Sequence, residues 1–486
     1  MTGAPAPAVT RALPAPRSPA WPEHVIEGGI LFLLVFTPLA YGTVEPWSEA
    51  LTTLVALALA LTWGLTMLAH GEVRGVVPPG WLPAGLFLLL GVSQLVPLPM
   101  AFHWALSPIS AEQYQRAASV LGTPARAWPL SLDPHATWRQ TLNLLSVSLF
   151  FLVALNTCRT RARLLRVLWT LVIVGAAVAL LGLAQRASWT GRLYWIGAGV
   201  PARTTPFGPF VNRAHFAGLM VIVIPMTLAL FLAGAEPSPR SPRPARRGRP
   251  AAAFRLVLPF LALLMGAALL VSGSRGGLVS LGATLVTMTG LSVRGRAGRG
   301  RAVTIAAAGI GMLLVAVWIG ADLLAATVAR LSVEWTHPLD SPRLLLWADA
   351  LRLWWQAPVF GTGLATFGIA YPVVRTVPSS LAFSHAESDW VQLLTDTGIV
   401  GLGLVLATGV ALARRLWRRC EPSADRWAGS LALGGLAVLV GVAVHGVGNF
   451  NWPLVSLWVY LAAALAAGLA APTPPGSERA WIASTA

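Results

Sequence analysis

Long apolar stretches alternate along this chain with short polar intervals, and each apolar stretch is close to the length that crosses a bilayer. A hydrocarbon core ~30 Å thick, with a helical rise of ~1.5 Å per residue, calls for about 18–20 apolar residues per crossing. The pattern predicts about twelve spanning helices, over 26–41, 51–69, 82–100, 140–157, 164–185, 214–234, 254–272, 276–293, 302–326, 391–413, 427–447 and 451–471. In lipid every backbone polar group needs an internal partner, so such segments are helical. The expected fold is all-α, a polytopic membrane protein with a large outer loop between spans nine and ten. By this reading the chain divides into a tail, 1–24, spans one to nine within 25–326, the loop 327–390, spans ten to twelve within 391–471, and a second tail, 472–486.

Composition and charge sharpen the picture. Hydrophobic residues make up 56% of the chain, far above a soluble domain, and 35 basic against 18 acidic residues give a net charge of +17. Every basic residue is arginine. That balance alone would suit nucleic acid. The arginines, however, cluster in short loops: Arg159, Arg161, Arg163 and Arg166; Arg240, Arg243, Arg246, Arg247 and Arg249; Arg294, Arg296, Arg299 and Arg301; Arg414, Arg415, Arg418 and Arg419. With the N-terminus in the cytoplasm all of these fall inside, as the positive-inside rule requires, and membrane lipids account for them without nucleic acid. Cys158 and Cys420 fall on the same side, which indicates neither a disulfide framework nor a cysteine metal site. Residues 1–24 lack the contiguous apolar core of a signal peptide and read as a disordered cytoplasmic tail.

Chemistry concentrates at the outer rim. One motif, Phe207-Gly208-Pro209-Phe210-Val211-Asn212-Arg213-Ala214-His215, opens span six. A second, Ser272-Gly273-Ser274-Arg275-Gly276-Gly277, turns between spans seven and eight. A third joins Arg343 and Trp347 to the turn Pro358-Val359-Phe360-Gly361-Thr362-Gly363. The fourth runs from Ser384-His385-Ala386-Glu387-Ser388-Asp389-Trp390 into span ten, as far as Gly401. Outer tryptophans, among them Trp104, Trp128, Trp138, Trp189 and Trp195, suit interfacial anchoring more than sugar stacking.

Taken in order and on the expected membrane side, these motifs resemble the O-antigen ligase and O-antigen polymerase superfamily of bacterial envelope enzymes, over about Pro206 to Trp452. Ala214 stands where the family often has asparagine, and Glu387 and Ser388 stand where many members have a second histidine followed by asparagine. The resemblance implies glycosyl transfer at the periplasmic face of the inner membrane, from a polyprenyl-diphosphate-linked glycan to an acceptor hydroxyl on lipid A-core, a growing glycan or a protein. Arg275, Arg213 and Arg343 are then the candidates for the departing diphosphate, since a guanidinium is always charged and donates several hydrogen bonds at once. His385 is the candidate catalytic base, with Glu387, Asp389 and Asn212 in support.

Each residue also has a plainer role open to it. The arginines can snorkel to headgroups, His385 can hydrogen-bond a loop carboxylate, and Asp389 can serve the N-terminal dipole of span ten in preference to orienting the imidazole. Asp396, His215, His337 and His445 read as structural or packed, and Asn449 and Asn451 as hydrogen-bonding between helices. No cofactor is expected. Transfer is expected to be metal-independent, because Glu387 and Asp389 form no convergent oxygen set. A ligase is preferred to a polymerase of the same superfamily, and both to a transporter, which would carry charges near the bilayer midplane, or to a non-catalytic scaffold. Sugar identity and oligomeric state are not encoded legibly.

Overall fold

The computed structural model describes residues 21–71, 75–122, 127–196, 199–200, 204–234, 249–293, 300, 302–312, 314, 342–377, 383–420 and 425–470. Most of the first tail, the second tail, His337, the later part of span nine and the arginines at 240–247, 294–299 and 301 lie outside them.

The described chain is predominantly helical, with one short pair of strands. Its helices are α1 (Trp21–Leu39), α2 (Pro46–His70), α3 (Trp81–Ser93), α4 (Met100–Leu106), α5 (Pro108–Leu121), α6 (Pro134–Thr157), α7 (Arg161–Ala187), α8 (Arg213–Gly234), α9 (Arg249–Ser272) and α10 (Arg275–Ser292). They continue with α11 (Ala302–Met312), α12 (Pro342–Trp355), α13 (Phe367–Ala370), α14 (Asp389–Arg419), α15 (Arg426–His445) and α16 (Val455–Ala470). Strands β1 (Pro97–Pro99) and β2 (Ala127–Pro129) pair antiparallel.

Seven of these helices are long and apolar enough to cross a membrane, and α3, α11, α16 and the Leu256–Ser272 part of α9 are shorter apolar helices. The protein is an all-α, multi-pass membrane protein. Its outer surface carries the complementary sign of lipid contact. Leu54, Leu61 and Leu68 of α2 are 64%, 64% and 78% exposed at a spacing of one heptad, and Val279, Val286 and Val293 repeat the pattern along and just beyond α10.

Helix α8 is the axis of the bundle. It is apolar on every side, buried from His215 to Leu230, and packed by α15, α9, α10, α7 and α16. Lipid provides little hydrophobic drive between helices, so close approach depends on small residues. Gly441 of α15 admits Thr284 and Val221, Gly434 admits Ala229, and Gly175 of α7 admits Val223. At one end of the bundle two arginines near the start of α7 are paired with α1: Arg166 with Glu27 and Arg163 with Glu23.

Helix limits differ from the hydropathy pattern where a tertiary contact recruits a residue. The third apolar stretch was expected to run to 100, but its helix stops at Ser93. The next residue, Gln94, turns inward, donating to Phe360 O at 2.8 Å and Asp396 O at 3.0 Å and accepting from Leu364 N at 3.0 Å. The fourth begins at Pro134 instead of 140, because Asp133 caps it by accepting from Ala136 N. The tenth, α14, is broken at Gly398 (φ 64°, ψ −168°).

The break is filled. Ile399 N and Val400 N donate to Pro358 O and Val359 O, while Thr362 N and Gly363 N donate to Thr395 O and Asp396 O. The Pro358–Gly363 turn therefore substitutes for the missing helical partners. A Cβ at Gly361 (φ 72°) would lie 2.3 Å from the Asp396 carbonyl carbon, and one at Gly398 would lie 2.2 Å from Val359 O, so neither position admits a side chain.

Candidate functional site

The residues singled out by sequence meet at the end of the bundle where α8, α10 and α14 begin. Each start has a local cause. Asn212 Oδ1 accepts from Ala214 N at 2.9 Å, opening α8 at Arg213. Gly273 takes a left-handed conformation (φ 67°), after which Ser274 caps α10 by accepting from Gly277 N, so that Arg275 is its first residue. Ser388 caps α14 by accepting from Val391 N, placing Asp389 first. Three helix N-termini thus face one rim, each contributing partial positive charge.

The strap 446–452, between α15 and α16, ties these starts together. Asp389 Oδ1 accepts from the backbone N–H groups of Asn451 at 2.7 Å and Trp452 at 2.8 Å, and Oδ2 accepts from Asn451 Nδ2 at 3.2 Å. Asp389 N donates to Gly446 O and Asn449 O. Asn451 Nδ2 also lies 2.7 Å from His445 Nδ1, and Asn449 Nδ2 donates to His445 O. Closeness is enforced on the other sides as well. A Cβ at Gly276 would meet Asn449 Nδ2 at 2.0 Å, one at Gly448 would lie 3.8 Å from Arg343 Nη1, and one at Gly273 would lie 3.3 Å from Arg213 Nη1. The segments bearing Arg213, Arg275 and Arg343 are therefore neighbours around the strap.

His385 enters from the loop before α14. Trp347 Nε1 of α12 donates to Ala386 O at 2.9 Å and Gln392 Oε1 accepts from Ala386 N, fixing the segment that bears the imidazole. Its ring stacks on Phe450 at 4.5 Å with 16° between planes. Burial pushes the imidazole down to about 4, opposed in part by the Gln392 side chain, so His385 is neutral near pH 7, with its lone pair unprotonated, and a weaker base than a free imidazole. Glu387 holds a left-handed backbone (φ 54°), an unfavourable geometry for a residue with a Cβ. Its carboxylate lies 3.5 Å from Arg343 Nη2; burial raises its pKa, and the guanidinium opposes that rise.

Two cavities flank this centre. A polar one of about 260 Å³ is lined by Gln185, Arg186, Trp189, Thr204, Thr205, Arg213 and Ser272, among others. An apolar one of about 320 Å³ runs between α8, α14, α15 and α16, lined by residues such as Leu393, Val405, Leu439 and Leu457, with Asp389, His445 and Asn451 also in its wall.

Residues 260–406 match the family model described as O-Antigen ligase. The likeness to O-antigen ligases covers that segment of the chain. Curated proteins give no match to the chain. The O-antigen ligase segment contains Arg275, Arg343, His385, Glu387, Asp389 and the α14 break, whereas Arg213, His215 and the strap lie outside it and are joined to it by the fold.

Several sequence expectations for the site change in three dimensions. Asp389 neither orients His385 nor acts only through the helix dipole; it pins the strap. Asn212 is a helix cap. The Pro358–Gly363 turn, read as part of a functional motif, repairs α14 at the backbone level. Conversely, Phe450 belongs to the centre although sequence reading passed over it, and His445, read as packed, and Asn451, read as hydrogen-bonding between helices, meet beside it. The alternation Gly446-Val447-Gly448-Asn449-Phe450-Asn451 at the mouth of an apolar span was the available signal.

Proposed function

We propose that this protein is an inner-membrane glycosyltransferase of the ligase type. It transfers a polyprenyl-diphosphate-linked glycan to an acceptor hydroxyl, on lipid A-core or a related glycan, at the periplasmic face. The observation that carries this reading is the convergence of His385 and the segments of Arg213, Arg275 and Arg343 around one strap at one rim of the bundle.

In the proposed reaction the acceptor oxygen attacks the anomeric carbon of the donor. The bond from that carbon to the diphosphate oxygen breaks, its electron pair leaves with the diphosphate, and the hydroxyl proton passes to His385. Arg213, Arg275 and Arg343, assisted by helix N-termini, hold the growing negative charge on the leaving group, an arrangement able to supply several kcal/mol in a water-poor site. The polar cavity at Arg213 suits the hydrophilic part of the donor, and the apolar cavity beside Asp389 suits hydrocarbon chain. Arginine supplies the charge on the diphosphate in this scheme without a metal ion.

A polymerase of the same superfamily would use the same donor chemistry. Mass spectrometry of undecaprenyl-diphosphate-linked glycans, with a gel of surface polysaccharide, tests both in a deletion strain complemented by wild type, His385→Ala or Arg275→Ala. Long polymer stranded on the carrier beside bare core is the expected result. Stranded single repeat units would replace ligase by polymerase, and full complementation by both variants would end the glycosyl-transfer reading.

A further inference from the structure

Glu387 and Asp389, the two carboxylates closest in sequence to His385, are both committed elsewhere. Glu387 faces Arg343 and Asp389 is spent on the strap. Among the described residues the buried imidazole Nδ1 has no hydrogen-bond partner. No carboxylate orients it; the Gln392 side chain is its polar neighbour, and the ring that packs its face is Phe450. We propose that Phe450 is a positioning residue for His385, a stacked platform that fixes the plane of the imidazole in place of a carboxylate. This inference rests on the role given to His385 above.

The platform is itself held from several sides. Its neighbours Asn451 and Trp452 donate through their backbone to Asp389, and Asn449 donates to His445 O. Phe450 O lies 3.0 Å from His215 Nε2; an accepting carbonyl requires the Nε2–H tautomer there. The His215 ring also meets Phe450 edge-on, at 5.0 Å and 89°. The phenyl ring is thus fixed by one histidine and presents a face to another. Stacking restrains tilt and shields one imidazole face from water, yet adds no charge. A carboxylate partner would strengthen the base; an aromatic platform keeps it neutral and fixes its direction.

Two readouts separate positioning from general support of the fold. The first is chemical modification of the full-length protein in detergent by diethylpyrocarbonate, which attacks neutral imidazole, followed at the His385 peptide by mass spectrometry across pH. In Phe450→Leu the modification rate should rise several-fold and its pH midpoint should move up from about 4 toward the ordinary ~6.5. Phe450→Tyr, which keeps a ring, should behave as wild type. The second is transfer from an undecaprenyl-diphosphate glycan to lipid A-core. Phe450→Leu should lose about 10–100-fold in kcat with KM little changed, the cost of a misdirected group, and Phe450→Tyr should restore it. Thermal unfolding identifies a variant that fails to fold, in which case Phe450→Met, nearer in volume but without a ring, is read in its place. Wild-type modification profile and kcat in a folded Leu or Met variant would overturn the proposal. If His385→Ala retains full transfer, the catalytic reading fails; if it is inactive while Phe450→Leu is unaltered, only the platform fails.

Discussion

The Pro358–Gly363 turn and the 446–452 strap are both short, glycine-containing connectors wedged against α14, and they do opposite things. In the turn the backbone satisfies backbone: four N–H groups cross between it and the broken helix, with Gln94 closing the ends. Glycine is required on both sides of the contact, because a Cβ at Gly361 would strike the Asp396 backbone and one at Gly398 the Val359 backbone. In the strap, side chains satisfy backbone. Asp389 takes two strap N–H groups, and His215 faces Phe450 O, which leaves an aromatic ring free to meet His385. A connector closed mainly against the backbone of a neighbouring helix is scaffold, whereas one held by side chains can display a functional surface.

That contrast can be broken most forcefully at the turn. Gly361→Ala introduces a Cβ into backbone at φ 72°, a fault of the class that costs more than ~4 kcal/mol. The expected result is loss of monodisperse protein on size exclusion; a normally folded G361A would show that the turn is not wedged. On the strap side, His385→Ala should lower kcat by about 10²–10⁴ while thermal unfolding stays within a few degrees of wild type.

Smaller effects sharpen the comparison. Asp389→Ala leaves two strap N–H groups without their acceptor and should cost about 2–4 kcal/mol in stability, with a loss of activity that Asp389→Asn partly recovers. Gln94→Ala removes three hydrogen bonds from the scaffold side. It should lower the unfolding temperature, by a free energy of about 1–3 kcal/mol, and leave the pH profile of transfer unchanged. The last effect is confined to a window of pH. With its folded pKa lowered to about 4 against ~6.5 when unfolded, His385 binds more protons in the unfolded state between those values. Its contribution to stability is present above ~6.5 and falls as pH drops toward 4. Denaturation titrations of wild type and His385→Gln should converge in pH dependence once that window is passed, and parallel curves throughout would contradict the burial of the imidazole.

Hydropathy alone was enough to give an all-α membrane protein, because lipid demands apolar length and internally paired backbone, both of which are local. Apolar length also located α7, α8 and α15 to within a few residues. It mislaid the ends of α3 and α6, where Gln94 and a capping Asp133 answer to partners that hydropathy does not register. Arg213, Arg275, Arg343 and His385 were legible as charged or titratable groups at span edges. Phe450 was not, since a phenylalanine at a membrane mouth is ordinary until a particular ring is seen stacked upon it.

What the sequence determined by itself is the solvent of each segment and the inventory of charge at each rim. Which of those groups share a site was decided by tertiary structure, because Asp389 reaches Asn451 and Trp452 only when α14 and α16 pack together. A hydrogen bond or a stacked ring between residues more than sixty positions apart leaves no periodic trace in either segment. Only the folded chain brings their geometry into existence.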